Sequence, residues 1–169
     1  MTAAVHPAAR PTTGLTDGAR SILGRRLYAV LCTQNDDATP HLVPVMFLYD
    51  NEQILIETGA ATRKARNVAA RGHASVLVHT PDAAWIIGTG PATIAAPGGG
   101  TRLHDRIRAK YLTPEGRQAC GGLLDEMDDV TIVVAPTRWL SWDLAAFMGT
   151  LAAQGVDPTQ SDSWFLADD

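Results

Sequence analysis

The sequence lacks most of the features that announce a function outright. It has two cysteines, Cys32 and Cys120, in 169 residues. Two thiols so far apart make neither a disulfide framework nor a metal knuckle. The histidines, His6, His41, His73, His79 and His104, do not pair at ligand spacing on one helix, so no metal site is expected. No apolar run reaches membrane-spanning length, and the N-terminus lacks the basic-then-apolar pattern of a secretory signal. These absences together predict a reduced, cytoplasmic protein, with Cys32 a buried thiol in its apolar run. A net charge of -4 argues against a nucleic-acid binder. No Gly-x-Gly-x-x-Gly follows a first strand. Gly88-Thr89-Gly90 is a fragment of that pattern inside a strand, which disfavours a dinucleotide-binding Rossmann fold. There is no phosphate-binding loop, no nucleophile elbow around Ser141 and no pair of carboxylates placed for acid–base work.

What is present suits one folded domain: 46% of residues are hydrophobic, enough for a substantial core. Residues 1–14, rich in Ala, Pro and Thr, read as a mobile tail. Leu15 to Leu23 predicts a short helix with Thr16 or Asp17 as N-cap. Strands are expected at Leu27–Thr33, His41–Tyr49 and Gln53–Glu57, joined by the polar turns Asn35–Pro40 and Asp50–Glu52. Thr62 caps a predicted helix from Arg63 to about Arg71, and Gly72 stops it. Strands then follow at Ala74–His79 and Ala84 to about Ala95. After the breaker Pro97–Gly100 come helices at Arg102–Tyr111 and Pro114 to about Met127. Strands at Thr131–Val134 and Trp139–Trp142 flank Pro136, and Leu144–Ala153 reads as a helix. The fold class is therefore mainly β (α+β), a six- to seven-stranded antiparallel barrel with short covering helices.

The segment Ile54 to Val78 (strand, tight turn, basic helix, strand) holds the clearest chemical signal. Arg63 and Lys64 open a helix where a strand has just ended. An arginine fork, a lysine point charge and a helix N-terminus together suit a phosphate. Asn67 lies one turn on and shares their side of the helix. A solvated basic face is the competing explanation. Thr58 at the strand end is either a ligand contact or a turn threonine. Val43-Pro44-Val45 offers an apolar wall, and Pro44, unable to donate to a ladder, marks an edge, a bulge or a ligand-facing gap. Trp85 and Trp142 are placed to stack near a flat ring or simply to pack. Phosphate-binding cations without an acid, base or nucleophile fit a cofactor that carries out the reaction itself.

Several stretches in order carry a family resemblance: Gly-Arg-Arg-Leu-Tyr-Ala-Val-Leu-Cys-Thr at 24–33, Pro-His-Leu-Val-Pro-Val at 40–45, Glu-Thr-Gly-x-x-Thr-Arg-Lys-Ala-Arg-Asn at 57–67, His-Ala-Ser-Val-Leu-Val at 73–78, and a strand led by Trp85. Over roughly Leu15 to Asp143 the chain resembles the pyridoxamine 5'-phosphate oxidase-like, FMN-binding split β-barrel superfamily. Within it the flavin/deazaflavin oxidoreductase branch is the most similar. The resemblance implies a split barrel over 15–143, a C-terminal extension over 144–169, and a homodimer with cofactor sites at the interface. The cofactor is expected to be coenzyme F-420 or FMN. Arg63 and Lys64 would grip its phosphate, with Asn67 in support. Thr58 and the Val43-Pro44-Val45 backbone would line its ring, and Trp85 with the partner's Trp142 region would close the pocket. Arg25, Arg26 and Arg66 would meet an anionic tail or remain solvated.

The chain departs from true pyridoxamine phosphate oxidases at Leu42, where those enzymes have arginine, and in its last residues, Asp-Ser-Trp-Phe-Leu-Ala-Asp-Asp. The implied activity is hydride transfer to or from a small organic substrate. A non-catalytic flavin or haem carrier and a pyridoxamine 5'-phosphate oxidase are the alternatives. The extension's apolar residues, Phe147, Met148, Leu151, Trp164, Phe165 and Leu166, are expected to cover the partner subunit or cap the substrate pocket.

Overall fold

The computed structural model describes residues 14–95, 100–125 and 129–157. The tail expected over 1–14, except Gly14, and the apolar trio Trp164, Phe165 and Leu166 lie outside the described residues. The chain opens with helix α1 (Asp17–Gly24), whose N-cap Thr16 accepts the Ala19 N–H at 3.2 Å. Strands β1 (Ala29–Gln34) and β2 (Pro40–Val45) form a hairpin. Asp37 stabilises its turn by accepting from the Thr39 N–H at 3.0 Å and the Thr39 hydroxyl at 2.6 Å. Strands β3 (Leu48–Asp50) and β4 (Gln53–Gly59) form a second hairpin. Asn51 and Glu52 turn it with φ of 47° and 62°, the left-handed pair that matches the twist of a tight hairpin.

A single strand over His41–Tyr49 is expected from the apolar run, yet the chain breaks it at Met46–Phe47. The reason is a change of partner: Val45 pairs with Ala29 of β1, whereas Leu48 pairs with Leu55 of β4. At the crossing Phe47 is fully buried, and its peptide groups belong to neither ladder. Side chains near the end of helix α3 (Gly100–Tyr111) satisfy them. The Tyr111 hydroxyl meets both the Phe47 N–H and its carbonyl at 3.2 Å. Lys110 donates to the same carbonyl at 3.2 Å and lies 3.9 Å over the Phe47 ring. A buried backbone break costs little once its polar groups are paired in this way. The split raises the count to eight strands among the described residues.

Helix α2 (Arg63–Arg71) links β4 to β5 (His73–His79), and Gly72, at φ 63°, ends it with its N–H on the Val68 carbonyl. Strand β6 (Ala84–Ala95) is the hinge of the fold. One edge pairs with β5. The other pairs first with β8 (Arg138–Asp143) and then with β7 (Asp129–Val134). The sheet runs β2-β1-β5-β6-β7-β4-β3, with β8 joined to β6. This curled antiparallel sheet is a split β-barrel with five helices among the described residues. Helix α4 (Pro114–Asp125) follows α3, and α5 (Leu144–Ala153) follows β8.

The switch from β7 to β8 explains Gly88-Thr89-Gly90. Ala135 donates to the Pro91 carbonyl and Thr137 to that of Thr89, so Pro136 falls between two ladder bonds that do not need its N–H. A Cβ on Gly90 would stand 2.3 Å from the Ala135 oxygen, and one on Gly88 would stand 2.6 Å from the Trp139 ring. Both glycines permit close approach at a barrel corner. Ile54, Ile56, Val76, Val78, Ile86, Ile132 and Val134 fill the interior, with Phe47 and Trp139 at its margins.

Candidate functional site

Strand alternation sends Ile54, Ile56 and Thr58 inward along β4 and Leu55 and Glu57 outward. The chain leaves β4 at Gly59, and the Thr62 N–H closes the turn on the Gly59 carbonyl at 3.0 Å. Thr62 has the extended backbone of an N-cap, but its hydroxyl does not cap α2. It lies instead 3.2 Å from the hydroxyl of Thr58. The first N–H groups of α2 therefore have no side-chain cap, and the positive end of the helix stays open to an anion.

Arg63 and Lys64 stand at this opening. Arg63 is exposed, and Lys64 is half-buried. Burial holds the Lys64 ammonium below the usual lysine range. Among the described residues its side chain takes part in none of the ion pairs. A half-buried cation at an uncapped helix N-terminus is a fitting place for a phosphate. Arg66 donates to the Ala61 carbonyl within the turn. Arg71, at the far end of α2, pairs with Asp36 at 3.1 Å.

Asn67 is buried, and its amide nitrogen donates to the Thr33 hydroxyl and to the Asn35 side-chain oxygen, each at 3.1 Å. Those bonds pin α2 to the end of β1. Asn67 thus sits one turn from Lys64, as its spacing implies, with its amide N–H groups directed into the protein. A cleft of about 440 Å³ lies beside it, with Arg63, Arg66 and Asn67 on one wall and Asn35, Asp36 and Asp37 on the other.

The remaining sequence-predicted residues lie on the other half of the barrel. Val45 is buried and Val43 packs against the core. Of the three, only Pro44 exposes its side chain. It does so on β2, the end strand, where a proline does not interrupt a ladder. Trp85 and Trp142 face each other across β6 and β8 within one chain. The registers place Pro44, Val30, Leu77, Ile87 and Leu140 in one row across β2, β1, β5, β6 and β8. This row faces away from the core, and Trp85 and Trp142 lie on the same side. Leu42, on the same face, is 60% exposed. Cys32, opposite Leu42, is only partly buried because it too faces outward. Phe147 of α5 packs 6.2 Å from Trp142, and no residue of α5 is buried. A second cleft of about 480 Å³ lies at the polar end of this face, against Cys32, Gln34, His73 and Ser75.

Two features were not visible in the sequence reading. The Thr58–Thr62 contact has a faint local signal in the four-residue spacing across a turn. A cluster on the outer side of β4 and β7 has none: His104 on α3 sits between Glu57 of β4 and Asp129 of β7. No group of described residues is arranged to hold a metal ion, and no described helix is long and apolar enough to cross a membrane.

The sequence matches the pyridoxamine 5'-phosphate oxidase family over residues 15–143. It is similar to the structure of an F420 reductase at 26% identity and a TM-score of 0.60, covering 74% of this chain and 98% of that one. A conserved hypothetical protein from Mycobacterium tuberculosis matches at 22% identity and a TM-score of 0.64, over 80% of this chain and 89% of that one. A protein from Listeria innocua, provisionally assigned as a pyridoxamine 5'-phosphate oxidase, matches at 21% identity and 0.56, over 73% and 94%. The last two likenesses carry the fold alone. No curated protein matches.

Proposed function

The chain belongs to the pyridoxamine 5'-phosphate oxidase family, and from that premise we propose that it is an oxidoreductase using a flavin-type cofactor, coenzyme F-420 or FMN. The observation that carries this reading is Lys64: a half-buried ammonium with no carboxylate partner among the described residues, at the uncapped start of α2. Lys64 and Arg63 hold the cofactor phosphate, and the first N–H groups of α2 complete the cradle. The Thr58 and Thr62 hydroxyls, already bonded to each other, orient the mouth of the cradle. Asn67 serves the site by anchoring α2 to β1 and by lining the adjoining cleft. The bound cofactor supplies the hydride chemistry.

The apolar face of β2, β1, β5, β6 and β8 is assigned to a second copy of the chain. Pro44 and the backbone of Val43 and Val45 border the cofactor ring at that interface. Trp85 and Trp142 form the wall that keeps water from it. This reading makes the protein a homodimer that acts on a small organic substrate in the cytoplasm. Residues 15–143 would be the cofactor-binding domain and 144–169 an extension packed on the barrel or on the partner subunit. The 26% identity to an F420 reductase favours the deazaflavin, and the phosphate cradle suits either cofactor. Leu42, exposed on the edge strand where pyridoxamine phosphate oxidases have arginine, weighs against vitamin B6 oxidation.

Titration of the purified chain with FMN and with coenzyme F-420, followed by fluorescence, tests the assignment. Saturable one-to-one binding of either per subunit supports it, and failure of both to bind overturns it. Among the described residues the cradle itself is built from cations, hydroxyls and backbone N–H groups, which keeps a carrier without turnover as the second reading. Stopped-flow mixing of the reduced holoprotein with candidate acceptors separates the two.

A further inference from the structure

His104 of α3 is held between two carboxylates. Its Nδ1 lies 3.3 Å from Glu57 Oε2 and its Nε2 lies 3.7 Å from Asp129 Oδ2. Glu57 and Asp129 belong to adjacent paired strands, with Glu57 opposite Thr131 and Gly59 opposite Asp129. The three side chains are 23%, 15% and 14% exposed for His104, Glu57 and Asp129. A neutral imidazole has one N–H and one lone pair. With both carboxylates ionised it donates to one of them and turns its lone pair toward the other. A proton on Glu57 removes this conflict, because the carboxylic acid O–H can donate to the imidazole lone pair while the imidazole N–H donates to Asp129.

We propose that Glu57, His104 and Asp129 form a proton-operated latch that holds α3 on the outer face of β4 and β7 when the cluster carries its extra proton and loosens that helix when the proton is lost. Among the described residues, the charged groups acting on Glu57 are Asp129 of β7 and Asp105 and Arg108 of α3. Asp105 adds negative charge and Arg108 adds positive charge near Glu57. The working range lies near neutrality. Burial first, then Asp129, pushes the Glu57 carboxyl up to about 7, while Arg108 pulls it down and Asp105 pushes it further up. α3 also carries Lys110 and Tyr111, which seal the break in the strand at Phe47. The latch stands on geometry outside the cofactor cradle and does not depend on the cofactor reading.

Hydrogen exchange of α3 in the full chain tests the latch, with rates corrected for the intrinsic pH dependence of exchange. The wild-type α3 is expected to lose about tenfold in protection between pH 6 and pH 8, equivalent to about one pK unit, while β5 keeps its protection. In Glu57→Gln the conflict is gone at every pH, and α3 should stay protected at pH 8. Asp129→Asn removes the second carboxylate and should diminish the pH response, which gives a second variant if one folds poorly. Equal wild-type protection at both pH values overturns the proposal, as does an undiminished pH response in both variants.

Discussion

The hydroxyl oxygens of Thr58 and Thr62 lie 3.2 Å apart, so the end of β4 and the start of α2 are joined side chain to side chain across the turn that presents Arg63 and Lys64. Thr58 is almost fully buried. Thr62→Val would leave its hydroxyl without that partner. The expected cost is about 1 kcal/mol, the size of one lost buried hydrogen bond, with α2 less rigidly placed. Urea denaturation measures it, and an unchanged midpoint would show that the contact contributes nothing.

Gly90 is the tightest point in the barrel. Its added Cβ would meet the backbone of Ala135, Thr137 and Pro136 at 2.3 Å, 2.8 Å and 2.9 Å. Gly90→Ala should destabilise by more than about 3 kcal/mol, because backbone cannot move aside as a flexible side chain can. Gly149 in α5 is the control, since its Cβ would meet nothing within 4 Å. Gly149→Ala should raise stability by roughly 0.5–1 kcal/mol through helix propensity. Thermal melts of the two variants should move in opposite directions.

The Tyr111 hydroxyl donates its one proton to the Leu27 carbonyl at 2.6 Å and accepts the Phe47 N–H at 3.2 Å, with the Phe47 carbonyl also 3.2 Å away. Tyr111→Phe preserves the ring contact with Tyr28 but strands the Phe47 N–H in the interior. A loss of about 1–3 kcal/mol is expected, together with faster exchange of the Phe47 amide. Wild-type exchange at that amide in the variant would mean that the strand break needs no seal.

Glu57 makes stability depend on pH in a direction opposite to that of an ordinary paired carboxylate. Its folded-state pKa, raised to about 7 by burial and by Asp129, exceeds the usual carboxylate value. The folded chain therefore binds this proton more tightly than the unfolded chain does. The resulting stabilisation is complete below pH about 4.5 and is lost as pH rises through about 7. Glu57→Gln should match the wild type near pH 5 and exceed it at pH 8.5 by on the order of 1–2 kcal/mol, discounted for partial solvent screening. Denaturation curves at the two pH values check the sign.

Local features were legible in the sequence because their causes are local. The span of α2, from Arg63 to the left-handed Gly72, follows from its turn and stop residues, and Thr16 caps α1 as its type suggests. Thr62 occupies the cap position, but its hydroxyl is drawn to Thr58 four residues back across the turn, a local choice between two partners that propensity does not encode. The run His41–Tyr49 reads as one strand because apolar periodicity does not reveal a change of partner. The residues that seal the break, Lys110 and Tyr111, lie more than sixty positions away. Gly88 and Gly90 resemble a nucleotide-binding fragment until the path of Pro136 beside them is known. The proposal for Arg63 and Lys64 rests on a chemical pattern within a few residues, a helix start that the structure places at Arg63. Glu57, His104 and Asp129 meet only because β4 pairs with β7 beneath α3, and no spacing in the chain signals that.

The central claim is that Arg63 and Lys64, with the open end of α2, hold the phosphate of a flavin-type cofactor. The most direct measurement is calorimetric titration of wild type and the Arg63→Ala/Lys64→Ala variant with coenzyme F-420 and with FMN, and with riboflavin as a ligand lacking the phosphate. The predicted result is that the wild type binds F-420 or FMN. The double substitution should weaken that binding by about 2–4 kcal/mol, some thirty- to thousand-fold, as expected for losing charge-assisted hydrogen bonds. If FMN is the ligand, riboflavin should bind about as weakly to wild type as FMN does to the variant. Equal affinity of the wild type and the variant for the bound cofactor would contradict the claim.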